Sequence, residues 1–134
     1  MSTILVNTLT GTSTAGSIAV TGEGNSTTTN LQQGLVKVWL YAQQRTATVE
    51  AKDSFNVSSW SDDATGQSLT NFTNAMANTT YSVMVSHNYA SVTKTGCNDG
   101  LPISSSQLKQ KDYDYTGTSY DHDYVYNNVH GDLA

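Results

Sequence analysis

Short segments in which apolar and polar side chains alternate recur along the chain from residue 36 onward. In 81–87 the residues Tyr81, Val83 and Val85 alternate with polar neighbours and Met84. Because successive side chains of a strand point to opposite faces, this pattern predicts a strand with Val83 and Val85 in the core. In 36–42 two sets of side chains alternate, and both contain large apolar residues, so either face could point inward. The sets are Val36, Val38, Leu40 and Lys37, Trp39, Tyr41.

Further strands are predicted at regular intervals, as is typical of a sandwich. They cover 46–51, 55–60, 69–72, 108–115 and 124–129, with 91–95 left open as another. Asp62, Asp63 and Gly66 make 61–66 a predicted turn, because Asp bonds nearby backbone and Gly accepts positive φ. Loops are expected at 74–79 and 96–100, and Pro102 fits a loop or an edge strand. We therefore predict an all-β fold, an antiparallel β-sandwich of jelly-roll-like form.

The first 34 residues have a different character, dominated by Thr, Ser and Gly with short apolar touches such as Ile4, Leu5, Val6 and Leu9. Such a segment buries little by itself, so we expect it to be ordered by a partner or a docking surface. Residues 1–34 are thus predicted to be an extended anchor and oligomerisation segment, and 35–134 the sandwich domain. The spacing of Leu31, Leu35 and Val38 fits either one helical face or an irregular lead-in to the first strand.

Composition limits the core and the partners. The chain has 134 residues, 37% apolar and 13% charged, which indicates one domain with a small core. A small core is often completed against copies of the same chain, so oligomerisation is expected. The net charge of −5 argues against nucleic acid and membrane partners. No signal peptide or apolar span is recognised, and Cys97, the only cysteine, is predicted in a loop.

Three runs carry a resemblance to a known family: SFNVSSWSDDATGQ at 54–67, NFTNAM at 71–76 and YSVMVSH at 81–87. They resemble a pattern of phage tail-fibre and related virion appendage proteins, and TNLQQGLVKVW at 29–39 and GDLA at 131–134 extend it over most of the chain.

The resemblance implies a homotrimeric virion protein, assembled in the host cytoplasm. Its N-terminal segment would contact other virion proteins, and its β domain would project outward, where it could touch a host surface glycan or protein. The sequence departs from the family pattern at Gln67, Ser68 and Leu69, and its N-terminal segment is short for a shaft. A capsid (head) decoration protein is therefore kept as an alternative to a tail fibre.

Five of the eight tyrosines lie close together in the sequence, among aspartates, and are the candidate ligand or receptor contacts. An exposed tyrosine ring offers a large contact area and a hydroxyl. The same residues could instead pack on strands or between protomers, and this second interpretation is favoured because Tyr is enriched at interfaces. The five are Tyr113, Tyr115, Tyr120, Tyr124 and Tyr126.

A calcium loop is the sharpest candidate for a metal site, with Asp112, Asp114, Thr116 and Asp123 as oxygen ligands around Gly117. The last carboxylate is Asp where Glu is usual, and the flanks do not indicate helices, so we predict no metal and no cofactor. A free carbohydrate- or calcium-binding sandwich remains the alternative function.

We also predict that the chain is not an enzyme. His122 has acidic neighbours, but adjacent strand residues would not converge on one ion. The sequence has neither a nucleophile-elbow serine motif nor a glycine-rich phosphate loop.

Overall fold

The computed structural model describes residues 4–12, 18–21, 28–45, 48–88 and 96–134. The chain forms two compact units, Met1–Leu35 and Val36–Ala134. No helix in the described ranges is long and apolar enough to cross a membrane.

The first unit contains a small antiparallel pair of strands, β1 (Ala19–Thr21) and β2 (Thr28–Asn30), followed by one helical turn, α1 (Leu31–Gly34). The Leu31 backbone N–H donates to the Ile18 carbonyl at 2.8 Å. Of the two alternatives for Leu31 to Val38, the helical one holds only for this turn, and the chain from Leu35 leads into the strand that begins at Val38. Six large apolar side chains among the described residues of this unit are exposed: Ile4, Leu5, Val6, Leu9, Val20 and Leu35.

The second unit is a β-sandwich of two antiparallel four-stranded sheets, which confirms the predicted fold class. Sheet I has the strand order β4-β3-β10-β7, and sheet II has the order β5-β6-β9-β8. The strands are β3 (Val38–Gln43), β4 (Glu50–Phe55), β5 (Val57–Ala64), β6 (Gln67–Phe72), β7 (Ser82–Asn88), β8 (Asn98–Ser104), β9 (Gln107–Asp112) and β10 (Tyr124–His130).

The two predicted faces of β3 are now distinguished. Val38, Leu40 and Ala42 are fully buried, whereas Trp39 and Tyr41 between them are only partly buried and face outward. On β7, Val83 and Val85 are half-buried and pack against the core cluster, as predicted.

The region around the first hairpin of sheet II differs from its sequence prediction. Of the predicted strand 46–51, residues 46 and 47 lie outside the described residues, and residues 48 and 49 are not in a strand, because β4 runs from Glu50 to Phe55. The predicted turn at 61–66 is too long, since β5 continues to Ala64 and only Thr65 and Gly66 form the turn, with Gly66 at φ 68°. As an edge strand, β5 can present its Ser and Asp side chains to water, so they do not interrupt it.

The region before β9 also differs. The predicted loop at 96–100 is wrong from Asn98 onward, because β8 begins there. Gly100 lies inside that strand, and a Cβ added to it would come within 2.6 Å of Val83 Cγ1 on β7. Glycine is therefore used here for a close approach between the sheets. Pro102 lies on this edge strand, consistent with its prediction, and 91–95 falls outside the described residues.

Asn56 makes the corner at which the chain leaves sheet I for sheet II. Its φ of 58° is left-handed, a conformation that Asn tolerates better than most residues. Its side-chain amide donates to the carbonyl oxygens of Lys37 and Asn74, both at 3.1 Å, and its side-chain oxygen accepts the Asn74 N–H at 2.7 Å. The corner is thus fixed by backbone conformation and by side-chain bonds.

Two apolar clusters make up the core, and the smaller one consists of Leu40, Ala42 and Val125. The larger one is built around Tyr81 and Phe72. Tyr81 packs its ring edge-on to Phe72, with centroids 5.8 Å apart, and its hydroxyl lies 2.7 Å from the Gln107 carbonyl oxygen. Burial raises the pKa of Tyr81 to about 12. The other buried residues of the larger cluster are Val38, Met76, Leu108 and Val129.

Candidate functional site

The interior of the sandwich also contains a group of buried polar side chains, which we call the polar interior. Buried polar residues come from both sheets, from the residues on either side of β3 and from the segment between β9 and β10. They are Lys37, Gln44, Ser68, Thr70, Gln110, Asp112, Asp114, His122 and Asn127.

Hydrogen bonds join the two sheets through this polar interior. The Asn127 amide donates to Thr70 Oγ1 at 2.9 Å, and the Gln44 amide donates to Asp62 Oδ1 at 3.1 Å. The Gln110 amide donates to Asp112 Oδ1 at 2.8 Å on its own strand and to the Ser86 carbonyl of the other sheet at 3.2 Å. Because a buried polar group is costly unless it is paired, these bonds favour one relative position of the sheets.

Two histidine rings, one from β7 and one from the segment between β9 and β10, are stacked on each other. The His87 and His122 centroids lie 3.6 Å apart with the ring planes 5° from parallel. His87 Nδ1 lies 3.0 Å from Asp112 Oδ1, and His122 Nε2 lies 3.4 Å from the Tyr113 carbonyl oxygen. Burial, and then the nearby His87, lower the pKa of His122. The arrangement therefore favours an uncharged His122 at neutral pH.

The residues of the candidate calcium loop serve different parts of the structure. Asp112 meets His87, whereas Asp114 Oδ1 accepts the Thr116 N–H at 2.9 Å and the Thr118 N–H at 3.1 Å and so organises a tight turn. Asp123 Oδ1 lies 3.5 Å from Arg45 Nη1. Within the described residues, no three His, Cys, Asp or Glu side chains are grouped so that they could hold a metal ion.

The outward side of sheet I carries a patch that we call the aromatic face. Pairing of Trp39 with Phe55 and of Tyr41 with Tyr126 places these rings beside one another across β4, β3 and β10. At the edges, Phe55 is 53% exposed and Met84 on β7 is 66% exposed. The aromatic face is defined by Trp39, Tyr41, Phe55, Met84, Tyr124 and Tyr126.

The three tyrosines of the aromatic face pack against one another. Tyr41 and Tyr126 are parallel within 6° with centroids 5.3 Å apart, and Tyr124 lies 5.5 Å from Tyr41. Loss of solvent, and then the neighbouring Tyr124 and Tyr126, raise the pKa of Tyr41. Lys52 at the bulge of β4 bonds to Glu50, which raises the pKa of Lys52.

The outward side of sheet II is different. Lys109 and Asp63 form an ion pair there at 2.8 Å, and Asn71 accepts a hydrogen bond from Gln107 at 2.8 Å. Leu101 on the edge strand β8, which pairs with Lys109 on β9, is 37% exposed. One outer face of the sandwich is therefore largely polar and charged, as expected of a solvated sheet, while the other is aromatic.

The five candidate tyrosines fall into two groups. Tyr124 and Tyr126 lie on the aromatic face, whereas the other three belong to the segment after β9. Tyr115 is exposed in the Asp114 turn, and Tyr120 packs edge-on to His122 and lies under the Arg45 guanidinium, 5.5 Å from its ring centroid. Tyr113 donates its backbone N–H to the Cys97 carbonyl. The structure thus does not gather the five into one surface.

Sequence reasoning missed both main clusters. Trp39 and Tyr41 could be placed outside only once the inward set of β3 was known. For the histidine pair a signal was present, because His87 continues the inward series Val83, Val85 by one more step of two. No sequence spacing connects it to His122.

No protein-family model, curated protein or solved structure matches this chain.

Proposed function

We propose that this protein is a non-enzymatic virion structural protein, an appendage-like homotrimer that docks on a phage particle through residues 1–34 and projects the sandwich outward. The observation that carries the proposal is the exposure of apolar side chains in the first unit, where Ile4 is 83% and Leu5 89% exposed. Apolar groups in such a position gain free energy when a partner covers them.

The architecture of the second unit supports the same function. The sandwich has its own apolar core, and hydrogen bonds between buried polar groups also join its two sheets. It can therefore serve as a rigid projecting body. Resemblance of 54–67, 71–76 and 81–87 to virion appendage proteins supplies the particle as the partner. A host surface glycan or protein is the outward partner that this role implies.

Two measurements test the proposal. Purified phage particles should contain the chain, detected by mass spectrometry of the particles and located by labelled antibody in electron micrographs, which also separates head from tail. The isolated protein should show a light-scattering mass about three times its 14.4 kDa. Absence of the chain from purified particles would contradict the virion role.

The docking segment is tested by a pair of variants. We expect Leu5→Glu to prevent incorporation into particles, because a charge cannot be buried in an apolar contact without a partner. Asn7→Glu changes a neighbouring exposed polar residue to the same side chain and should be incorporated normally. Equal incorporation of both variants would contradict docking through this segment.

A further inference from the structure

We propose that the aromatic face is the surface through which sandwich domains of separate copies of this chain contact each other. The inference deepens the homotrimer of the proposed function by naming where its β domains meet. It rests on the contrast between the two outer faces of one sandwich, on the size and charge of the patch, and on the packing of its rings.

The outer face of sheet II shows what a solvated face of this domain looks like, and the outer face of sheet I can be compared with it. Both outer faces belong to four-stranded antiparallel sheets of one domain, and only the face of sheet I places Trp39, Tyr41, Tyr124 and Tyr126 on its two central strands. A solvated sheet face usually alternates to polar residues, as that of sheet II does. The composition of the aromatic face is instead that of interface cores, which are enriched in Tyr, Trp, Phe and Met.

The size of the patch fits the central part of a protein interface. Since an aromatic side chain offers roughly 150–250 Å², the exposed parts of the six side chains present on the order of 400 Å² of contiguous surface. A standard interface buries about 800 Å² on each partner, with a polar rim around an apolar centre. The polar residues that surround the rings, among them Asn88 and Asn128, can supply that rim.

Charge favours contact between copies at this place. The chain carries a net charge of −5, so two copies repel each other unless they meet where charges are few. On sheet I the outward residues of β3 and β10 carry no Asp, Glu, Lys or Arg, and Glu50, Lys52 and Asp53 are all on the edge strand β4. The two central strands therefore add no charge to the aromatic face, and Lys52, whose charge acts on Tyr41, is bonded to Glu50. The face is thus a low-repulsion surface for a second copy.

Ring packing favours a protein partner over a glycan. Carbohydrate-binding surfaces use open ring faces on which a sugar lies flat, but Tyr41 directs one face to Tyr126 at 5.3 Å and also contacts Tyr124. The tyrosines consequently offer ring edges and hydroxyl groups, which suit edge-to-face aromatic contacts and hydrogen bonds across a protein interface.

The test uses full-length protein and light scattering over a concentration series. Met84→Glu alone and combined with Phe55→Glu places charges on exposed positions of the aromatic face, and Leu101→Glu places the same charge on the exposed edge of sheet II. We expect association to weaken at least tenfold in the aromatic-face variants and to stay unchanged in Leu101→Glu. Circular dichroism and thermal melting identify any variant that fails to fold. The single Met84 variant changes the most exposed residue of the face, so it should fold even if the double variant does not.

The other outcomes overturn the inference in distinguishable ways. If folded aromatic-face variants keep the wild-type mass and Leu5→Glu lowers it, the copies associate through residues 1–34, and the proposed homotrimer survives without this interface. If the wild-type protein is a monomer at all soluble concentrations, both the interface and the homotrimer are rejected, whereas presence in particles is decided separately. If a monomer binds oligosaccharides in calorimetry and Met84→Glu with Phe55→Glu abolishes the heat, the face is a glycan site.

Discussion

Individual residues of the polar interior connect the two sheets in ways that depend on their protonation and size. His87 belongs to sheet I and Asp112 to sheet II, so their 3.0 Å contact crosses the sandwich, and the His122 ring stacks on the His87 ring. Gly100 also affects how the sheets pack, because its missing side chain leaves room for Val83 of the other sheet. Single substitutions at His122 and Gly100 therefore test how the interior holds the two sheets together.

Mild acid should destabilise the sandwich through the histidine pair. Burial and His87 lower the pKa of His122 from its ordinary 6.5. In the window between the lowered pKa and 6.5 the unfolded chain binds a proton that the folded chain does not, so the free energy of unfolding falls as the pH drops below 6.5. Above that value His122 adds no pH dependence. Urea midpoints measured from about pH 8 to about pH 5 should decline in the lower half of that range.

His122→Gln should reduce this decline, because the variant has no imidazole to protonate. His130→Gln, on the outward side of β10, is the matched control and should keep the wild-type slope. An unchanged slope in His122→Gln would show that the pair does not cause the acid sensitivity.

Gly100→Ala should lower the free energy of unfolding by about 1–3 kcal/mol, the usual cost of overpacking a core. The added Cβ would lie 2.6 Å from Val83 Cγ1 and 3.1 Å from Val85 Cγ1. Val83→Ala combined with Gly100→Ala should recover part of the loss, since the Val83 methyl groups are removed from the contact. Strictly additive losses in urea denaturation would contradict this explanation.

At the scale of elements, the corner between β4 and β5 decides how the chain passes from one sheet to the other. The sequence prediction joined Phe55, Val57 and Trp60 into one strand, but Asn56 at φ 58° separates two strands that belong to different sheets. Alternation of apolar residues continues across the corner, which is why the pattern could not reveal it.

Asn56→Ala should therefore destabilise the protein more than Asn56→Gly. Both variants lose the side-chain bonds to Lys37 and Asn74, but only alanine also meets the left-handed penalty, about 1–2 kcal/mol. Comparison of the two urea midpoints isolates the backbone contribution, with the exposed edge residue Asn88→Ala as a control expected to change little. Equal midpoints for the alanine and glycine variants would contradict a conformational role for Asn56.

At the scale of the whole molecule, the core and the anchor residues belong to different units. Among the described residues, all buried hydrophobic side chains lie between Val38 and Val129, and the most exposed apolar ones, Ile4 and Leu5, lie in the first unit. Stability and docking are therefore expected to be separable properties of the chain.

A chain of residues 36–134 should fold by itself. Because it retains the apolar core and the cross-sheet polar bonds, we expect the same near-ultraviolet circular dichroism and the same melting temperature as in the full-length protein. Failure to melt cooperatively would show that the first unit contributes to the fold of the second.

The sequence by itself determined the fold class. Alternation with a period of two specifies strands, and it correctly placed Val83 and Val85 toward the core. It could not determine which set of β3 faces inward, since both sets contain large side chains that can be buried, Val38 and Leu40 in one and Trp39 and Tyr41 in the other, and only sheet packing decides between them. It also could not pair His87 with His122 or Tyr41 with Tyr126, because those contacts join residues far apart in the chain. Tertiary structure decided the aromatic face and the histidine pair, for a physical reason: local periodicity fixes the direction of side chains relative to their own strand, and only the packing of sheets fixes what they meet.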